Sequence, residues 1–207
     1  MSRGSAALTK ARKEEIIEAC ARLYATRSFR EITIKEIGAE TSFTRTSIYN
    51  YFETKEEIFL ALLMKEYYLW VDSMNAVMET ETVLTRDQVA QVLARTLTGR
   101  PRLLRLLSMN LYDMEANSRP ERLAEFKVAF GASLKAVEKM LEKYVPEMDA
   151  DARQQFLYAF FPFIYGIHPY TSVTERQKKA MEQAGIPYVY QSAYELTYRC
   201  LIKLLEK

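Results

Sequence analysis

The chain has 207 residues, 49% of them apolar and 27% charged, with a formal net charge of +2, a balance that fits an ordinary globular protein and excludes a polycation or a disordered acidic chain. That length allows one or two domains with ample core, and only six glycines and six prolines argue against an all-β architecture built on tight turns. One histidine, His168, and two cysteines, Cys20 and Cys200, outside any CxxC pair exclude His-rich metal sites and a disulfide framework, so no metal and no other cofactor is expected and both thiols are expected reduced.

The first predicted element is an amphipathic helix from Ala11 to Thr26, with Ile16, Cys20, Leu23 and Tyr24 on one stripe and Glu14, Glu15, Glu18 and Arg22 largely outside it. Arg3, Lys10, Arg12 and Lys13 precede the first acidic residue and form a basic arm suited to phosphate. After a connection at Ser28 to Ile32, Thr33 and Glu36 make a capping box, and Ile34, Ile37 and Gly38 turn one small face inward. Thr44 suits the N-cap of a second short helix. In that helix Ile48 and Phe52 share the packing face, and Arg45, Thr46, Ser47, Asn50 and Tyr51 form the polar one. A helix this short is not stable alone, and a polar face held outward by neighbours is what reading a major groove requires.

Thr54 and Glu57 form a second capping box, opening a long helix through Ile58, Phe59, Leu62, Leu63, Tyr67, Trp70 and Met74. It is apolar on more than one side and is expected to link two domains. Two helices follow between Val83 and Leu107, the first entered by Thr85 and Gln88, with an interruption near Gly99 to Pro101. Ser118 with Glu121 restarts a helix after the break at Asn117 to Pro120, and it runs to about Tyr144. From Gln154 to Thr174 there is no charged residue, a length that approaches a membrane span. Gln154, Gln155, Pro162, His168 and Pro169 interrupt it and its tyrosines are scattered, so a helix buried on nearly all sides, kinked or broken at Pro162, is expected instead. Thr174 and Gln177 open a charged helix stopped by Gly185 and Pro187. The last helix, Tyr188 to Glu206, is apolar around much of its circumference and needs a second surface, for which a partner subunit is the simplest candidate. No charged segment followed by an apolar leader is present, and a cytoplasmic location is expected.

The run from Ile48 to Glu57, Ile-Tyr-Asn-Tyr-Phe-Glu-Thr-Lys-Glu-Glu, placed after a helix-turn-helix, resembles the DNA-binding domain of the TetR family of bacterial regulators. The specific match covers Lys10 to Leu62. The resemblance implies an all-α fold: a three-helix, homeodomain-like helix-turn-helix domain at 1–53, and a larger helical ligand-binding and dimerisation domain at 54–207. The chain departs from the family at Ser42, where a glycine is usual; a left-handed turn there is expected to cost on the order of 1 kcal/mol. Phe43 replaces a smaller residue and is expected to plug the core between the helices.

The candidate DNA-contacting residues are Thr33, Thr44, Arg45, Thr46, Ser47, Tyr49, Asn50, Tyr51 and Lys55. Thr44 lies where a helix N-terminus favours a phosphate. Arg45, Thr46 and Ser47 are the base-edge candidates, Arg45 for guanine, and Asn50 suits adenine or phosphate. Thr33 caps its helix and is also in place for a phosphate. The family resemblance gives Tyr49, Tyr51 and Lys55 a backbone-positioning role, while core packing is the alternative for Tyr49. A second constellation is aromatic and Met-rich: Tyr67, Trp70, Met74, Met109, Tyr112, Phe126, Phe130, Phe161 and Tyr165. Helical spacing alone makes these core residues; as a group they also suit an adaptable pocket for an apolar or flat ligand, and the resemblance implies a small-molecule inducer. No GxSxG, P-loop, HExxH or GxGxxG motif occurs, so an enzyme is not expected. The resulting expectation is a homodimer, joined through the last two long helices, that binds a palindromic operator in double-stranded DNA and is released by a small apolar or aromatic ligand. The alternatives are a DNA-binding regulator without a pocket, and a helical ligand carrier or enzyme that keeps the helix-turn-helix as scaffold.

Overall fold

The computed structural model describes residues 3–109 and 111–206, and the side chains of all of these except 3–5, 45 and 111. Among them there is helix but no strand. In chain order the elements are α1 (Arg3–Thr26), a 3-10 turn (Phe29–Glu31), α2 (Ile34–Ala39), α3 (Arg45–Ile48) and α4 (Lys55–Thr80). They continue as α5 (Arg86–Thr98), α6 (Pro101–Leu107), α7 (Leu111–Ala116), α8 (Pro120–Tyr144), α9 (Ala150–Thr171), α10 (Glu175–Gln183) and α11 (Ala193–Leu205). The chain packs as two compact units: Met1–Glu66 with Asn110–Phe130, and Tyr67–Met109 with Gly131–Lys207. The division drawn on the sequence, 1–53 and 54–207, is continuous, whereas these units are interleaved because α4 and α8 each run from one into the other.

The smaller unit closes over Ile16, Cys20, Tyr24, Ile32, Ile37, Ile48, Phe52, Ile58, Phe59 and Leu62, all buried. The rings of Tyr24 and Phe29 meet Phe59 edge-on at 5.2 and 4.8 Å. Lys65 ties α4 to α1 through ion pairs with Glu14 and Glu18. Helix α1 begins at Arg3 rather than Ala11, because Ala6, Ala7 and Leu8 are strong helix formers. The Thr33–Glu36 capping box forms as expected. The Thr54–Glu57 box does not: the Glu57 amide donates to Thr54 Oγ1, but the carboxylate takes the Glu53 amide instead of returning to Thr54.

In the larger unit Trp70 is fully buried, 6.4 and 6.1 Å from the Phe160 and Phe161 rings. Its Nε1 donates to Thr96 Oγ1 at 3.2 Å, satisfying the one polar atom it carries inside. Helix α11 packs on α5 and α9, and α6 packs on α9. Arg86 ties the start of α5 to Glu147 and to the Leu205 carbonyl at the end of α11. The Thr85–Gln88 and Thr174–Gln177 capping boxes both form.

Three further expectations need correction. Helix α9 runs unbroken through Pro162 and Pro169 and buries one stripe, Phe156, Phe160, Phe161, Ile164 and Ile167, rather than its whole surface. Pro162 and Tyr158, four residues before it, are both exposed, so the carbonyl deprived of its donor faces water and the helix survives. Helix α11 starts at Ala193, not Tyr188, because Ser192 and Glu195 form a capping box there. Before it, Gly185 at φ 66° and Pro187 break the chain into an extended segment. Ser118 does not cap α8; its hydroxyl donates back to the Met114 carbonyl at 2.6 Å, and the helix starts at Pro120, a favoured first position. Among the described residues no helix is long and apolar enough to cross a membrane.

Candidate nucleic-acid interface

Helix α2 sets the platform. The Thr33 hydroxyl caps the Glu36 amide at 3.3 Å and donates to Glu36 Oε2 at 2.9 Å. That carboxylate also binds Arg27 at 2.7 Å, and the Thr33 bonds, then Arg27, hold it below the usual carboxylate range. Thr33 is exposed but its hydroxyl proton is committed to this cap. The turn then hangs on α1: Glu15 accepts both the Ser42 amide and, at 3.0 Å, the Ser42 hydroxyl. Those bonds lower the Glu15 pKa. No described residue other than glycine has positive φ, so Ser42 carries none of the left-handed strain expected of it. The carboxylate of α1 shapes the turn in place of a glycine.

Ile48 and Phe52 are buried, as read from the sequence, but α3 ends at Ile48, so Phe52 enters the core from the turn beyond the helix and not from a shared helical face. Thr44, Thr46 and Asn50 are exposed, Tyr49 is 46% exposed, and Ser47 and Tyr51 are half-buried. Thr44 is the N-cap by position, but its hydroxyl meets Ser47 Oγ at 3.0 Å instead of a backbone amide. The backbone of Arg45 opens the helix; its side chain lies outside the described part of the structure. The core-packing alternative for Tyr49 fails, because that ring is turned outward.

Phe43 is half-buried rather than plugged into the core, with its ring 6.5 Å from Tyr51 and 5.5 Å from the Arg12 guanidinium. Arg12 also donates to the Tyr51 hydroxyl at 3.5 Å. The basic arm of α1 therefore reaches the side of the reading helix. Lys55 is turned inward. Its Nζ donates to the Phe29 and Ile32 carbonyls at 3.0 and 3.2 Å and lies 4.1 Å from the Phe29 ring centre. Two of its three protons are spent on its own backbone, so the phosphate-positioning role meets a structural one already in place.

Sequence reading missed a polar clamp behind the reading helix. Glu57, 1% exposed, accepts from Arg119 Nε and Nη2, both at 2.7 Å, from the Arg119 amide at 3.1 Å and from the Glu53 amide at 2.9 Å. Burial pushes its pKa up, but the Arg119 guanidinium and the two amides outweigh that and hold it at about 2. Arg122 Nη2 donates to the Tyr51 carbonyl at 3.2 Å, and Thr54 Oγ1 donates to the Asn117 carbonyl at 2.8 Å. The partners are more than sixty residues apart in sequence, and no local pattern marks them.

The aromatic set does not form one cluster within one unit. Tyr67, Trp70, Met74, Met109, Phe161 and Tyr165 belong to the larger unit, and Tyr112, Phe126 and Phe130 to the smaller. Trp70 with Phe161, and Tyr67 with Tyr165 (hydroxyls 3.4 Å apart), are brought together. Burial, then Tyr165, pushes the Tyr67 pKa well up. Met74 and Phe126 are buried, Met109 and Phe130 half-buried, and Tyr112 is 84% exposed. One cleft in the larger unit, of about 700 Å3, is lined by none of these; Arg86, Glu147, Phe156, Lys203 and Leu205 are among its walls.

A three-helix head with a buried inner face and a short helix whose polar face is open to solvent defines a helix-turn-helix DNA-binding protein. The comparisons with known proteins agree. Residues 16–62 match the model of bacterial regulatory proteins of the tetR family, and residues 64–204 match the tetracyclin repressor-like C-terminal domain. The chain belongs to the TetR family of DNA-binding transcriptional regulators. Similar solved structures include the fatty acid degradation regulator FadR of Bacillus halodurans (13% identity, 93% of this chain and 94% of that one, TM-score 0.60). Another is FadR of Thermus thermophilus, a TetR-family transcriptional repressor in complex with lauroyl-CoA (19% identity, 94% and 93%, TM-score 0.60). A third is FadR of Bacillus subtilis with stearoyl-CoA (15% identity, 93% and 97%, TM-score 0.60). No curated protein matches the sequence.

Proposed function

We propose that the protein is a homodimeric, cytoplasmic repressor of a palindromic operator, released by a small apolar ligand held in residues 54–207. The carrying observation is the open polar face at Thr44, Thr46 and Asn50, on α3 and the turn that follows it, opposite the buried Ile48 and Phe52. On this reading Thr46, Ser47 and Arg45 meet base edges, Asn50 meets adenine or a phosphate, and Thr44, Tyr49 and Tyr51 settle the phosphates, while Thr33 and Lys55 hold the platform behind them. The outer surfaces of α9 and α11 support a dimer. Tyr158 and Tyr170 of α9 are 66% and 62% exposed, and Leu196, Ile202 and Leu204 of α11 are half-exposed, which is much apolar area for a free surface. A two-fold pair would present two reading heads at a fixed spacing, matched by operator symmetry.

Two similar structures hold long acyl thioesters of coenzyme A, which makes lauroyl-CoA the first ligand to try in the aromatic unit around Trp70, Phe161 and Tyr165. Selection of bound fragments from the host genome tests the reading: one recurrent palindrome, bound by a dimer with steep salt dependence, supports it. A monomer at working concentration with no sequence preference would reject it. Coupling of about 1–3 kcal/mol changes affinity 5- to 150-fold and is reciprocal. Lauroyl-CoA binding that is equally tight with and without the selected duplex would reject ligand-driven release.

A further inference from the structure

The reading helix contributes few atoms to its own support: α3 spans Arg45–Ile48, and its exit, Tyr49 to Thr54, is a turn. What holds that exit comes from the segment entering α8. Arg119 and Arg122 both direct guanidinium donors at the Tyr51 carbonyl, at 3.5 and 3.2 Å. Arg122 also lies over the Phe52 ring at 5.8 Å. Arg119 is itself aimed by the buried Glu57 carboxylate, which takes its Nε and Nη2, and by Glu53, whose Oε1 lies 3.1 Å from Nη1. Glu57 in turn closes on the Glu53 amide, and Thr54 bonds the Asn117 carbonyl. The segment between the reading helix and α4 is therefore bonded to residues 117–122 at the Tyr51 carbonyl and at the Glu53 and Thr54 side chains.

The geometry points to Arg119, with Arg122, as a positioning residue for DNA reading: the Arg119–Glu57 pair fixes where the reading helix ends, and so how Thr44 to Asn50 meet the groove. Neither arginine needs to touch DNA for this. The bonds are charge-assisted and partly bidentate, the combination that gives both strength and direction. Loss of one partner leaves the other unmatched, and in the case of Glu57 leaves a buried charge.

The inference rests on DNA binding by the family fold and is tested on the full-length protein with the duplex it selects from genomic fragments. Arg119→Gln and Glu57→Gln are each expected to weaken that duplex about 10-fold or more, roughly the effect of losing one hydrogen bond to a charged group. The double variant is expected to lose no more than either single, because the two side chains act as one unit. The slope of log K against log salt is expected to stay unchanged in all three. Arg122→Met, which keeps the cover over Phe52 and removes the donor to Tyr51, is expected to weaken binding with a wild-type melting transition; it carries the test if Glu57→Gln does not fold. Additive losses would overturn the proposal, as would undiminished binding by a folded Arg119→Gln. A salt slope reduced by about one unit in Arg119→Gln, with Glu57→Gln silent, would overturn it in favour of a direct phosphate contact. Failure of the wild type to select any duplex rejects DNA reading itself, an outcome distinct from wild-type binding that the variants leave unchanged.

Discussion

The two units differ in what positions their central elements. The larger one centres on apolar burial, Trp70 against Phe160 and Phe161 and a stripe along α9, and its ionic brackets, such as Arg86 on Glu147 and the Leu205 carbonyl, join helix ends. The smaller one has an apolar centre, but its reading segment is shaped by ionic brackets: Glu15 on Ser42, Glu36 on Thr33 and Arg27, Arg119 on Glu57 and Tyr51, Lys55 on Phe29 and Ile32. Short helices bury too little surface to hold a pose. A segment that must keep one side free for DNA is better fixed by directional bonds, which specify angle as well as proximity.

Substitutions separate the two modes. Trp70→Ala should cost about 3–5 kcal/mol of unfolding free energy, the scale for emptying a large buried ring site. Chemical denaturation of the folded variant checks this; a loss under 1 kcal/mol would mean that the larger unit is not apolar-driven.

The bracket at Glu57 makes a pH prediction. Its carboxyl is depressed from 4.5 to about 2 in the folded chain, so between those values the unfolded state binds more protons and stability falls as pH falls. The depression corresponds to roughly 3 kcal/mol, present above pH 4.5 and lost as pH drops through about 2. Glu57→Gln should flatten that part of the stability profile, and an unchanged profile would remove the bracket from the account.

Lys55→Met should cost about 1–2 kcal/mol by removing charge-assisted bonds to Phe29 and Ile32, with the salt slope of DNA binding preserved. A slope lower by about one unit, at unchanged stability, would restore Lys55 to the phosphates.

The smallest effect is expected at Ser42. Replacement by glycine should destabilise by about 1 kcal/mol, since the Glu15–hydroxyl bond is lost and no strained φ is relieved. A more stable Ser42→Gly protein would show that the turn is strained after all.

Much of this was readable in advance wherever the cause is local. Capping boxes at Thr33, Thr85 and Thr174, the stop at Gly185, the inward Ile48 and Phe52, and the outward polar face of the reading helix all follow from rules acting within a few residues. The errors lie where a distant group competed with the local rule. The local pattern makes Glu57 a capping residue, but Arg119, 62 positions away, captures its carboxylate. Lys55 and Phe43 depart from the local expectation because three-dimensional neighbours, the Phe29 and Ile32 carbonyls and the Arg12 guanidinium, determine where their side chains go. The uncharged run of α9 predicts burial all round, but absence of charge reports polarity, not contact, and one stripe is buried.

The amino-acid order alone thus specified the helices, their caps and the class of the reading head, since those are settled by short-range bonding and by which side of a helix is apolar. Which carboxylate meets which guanidinium, which lysine turns inward, and how α4 and α8 interleave two units along one chain were settled by packing. Those choices depend on long-range pairings that form only once the loops between the partners have closed.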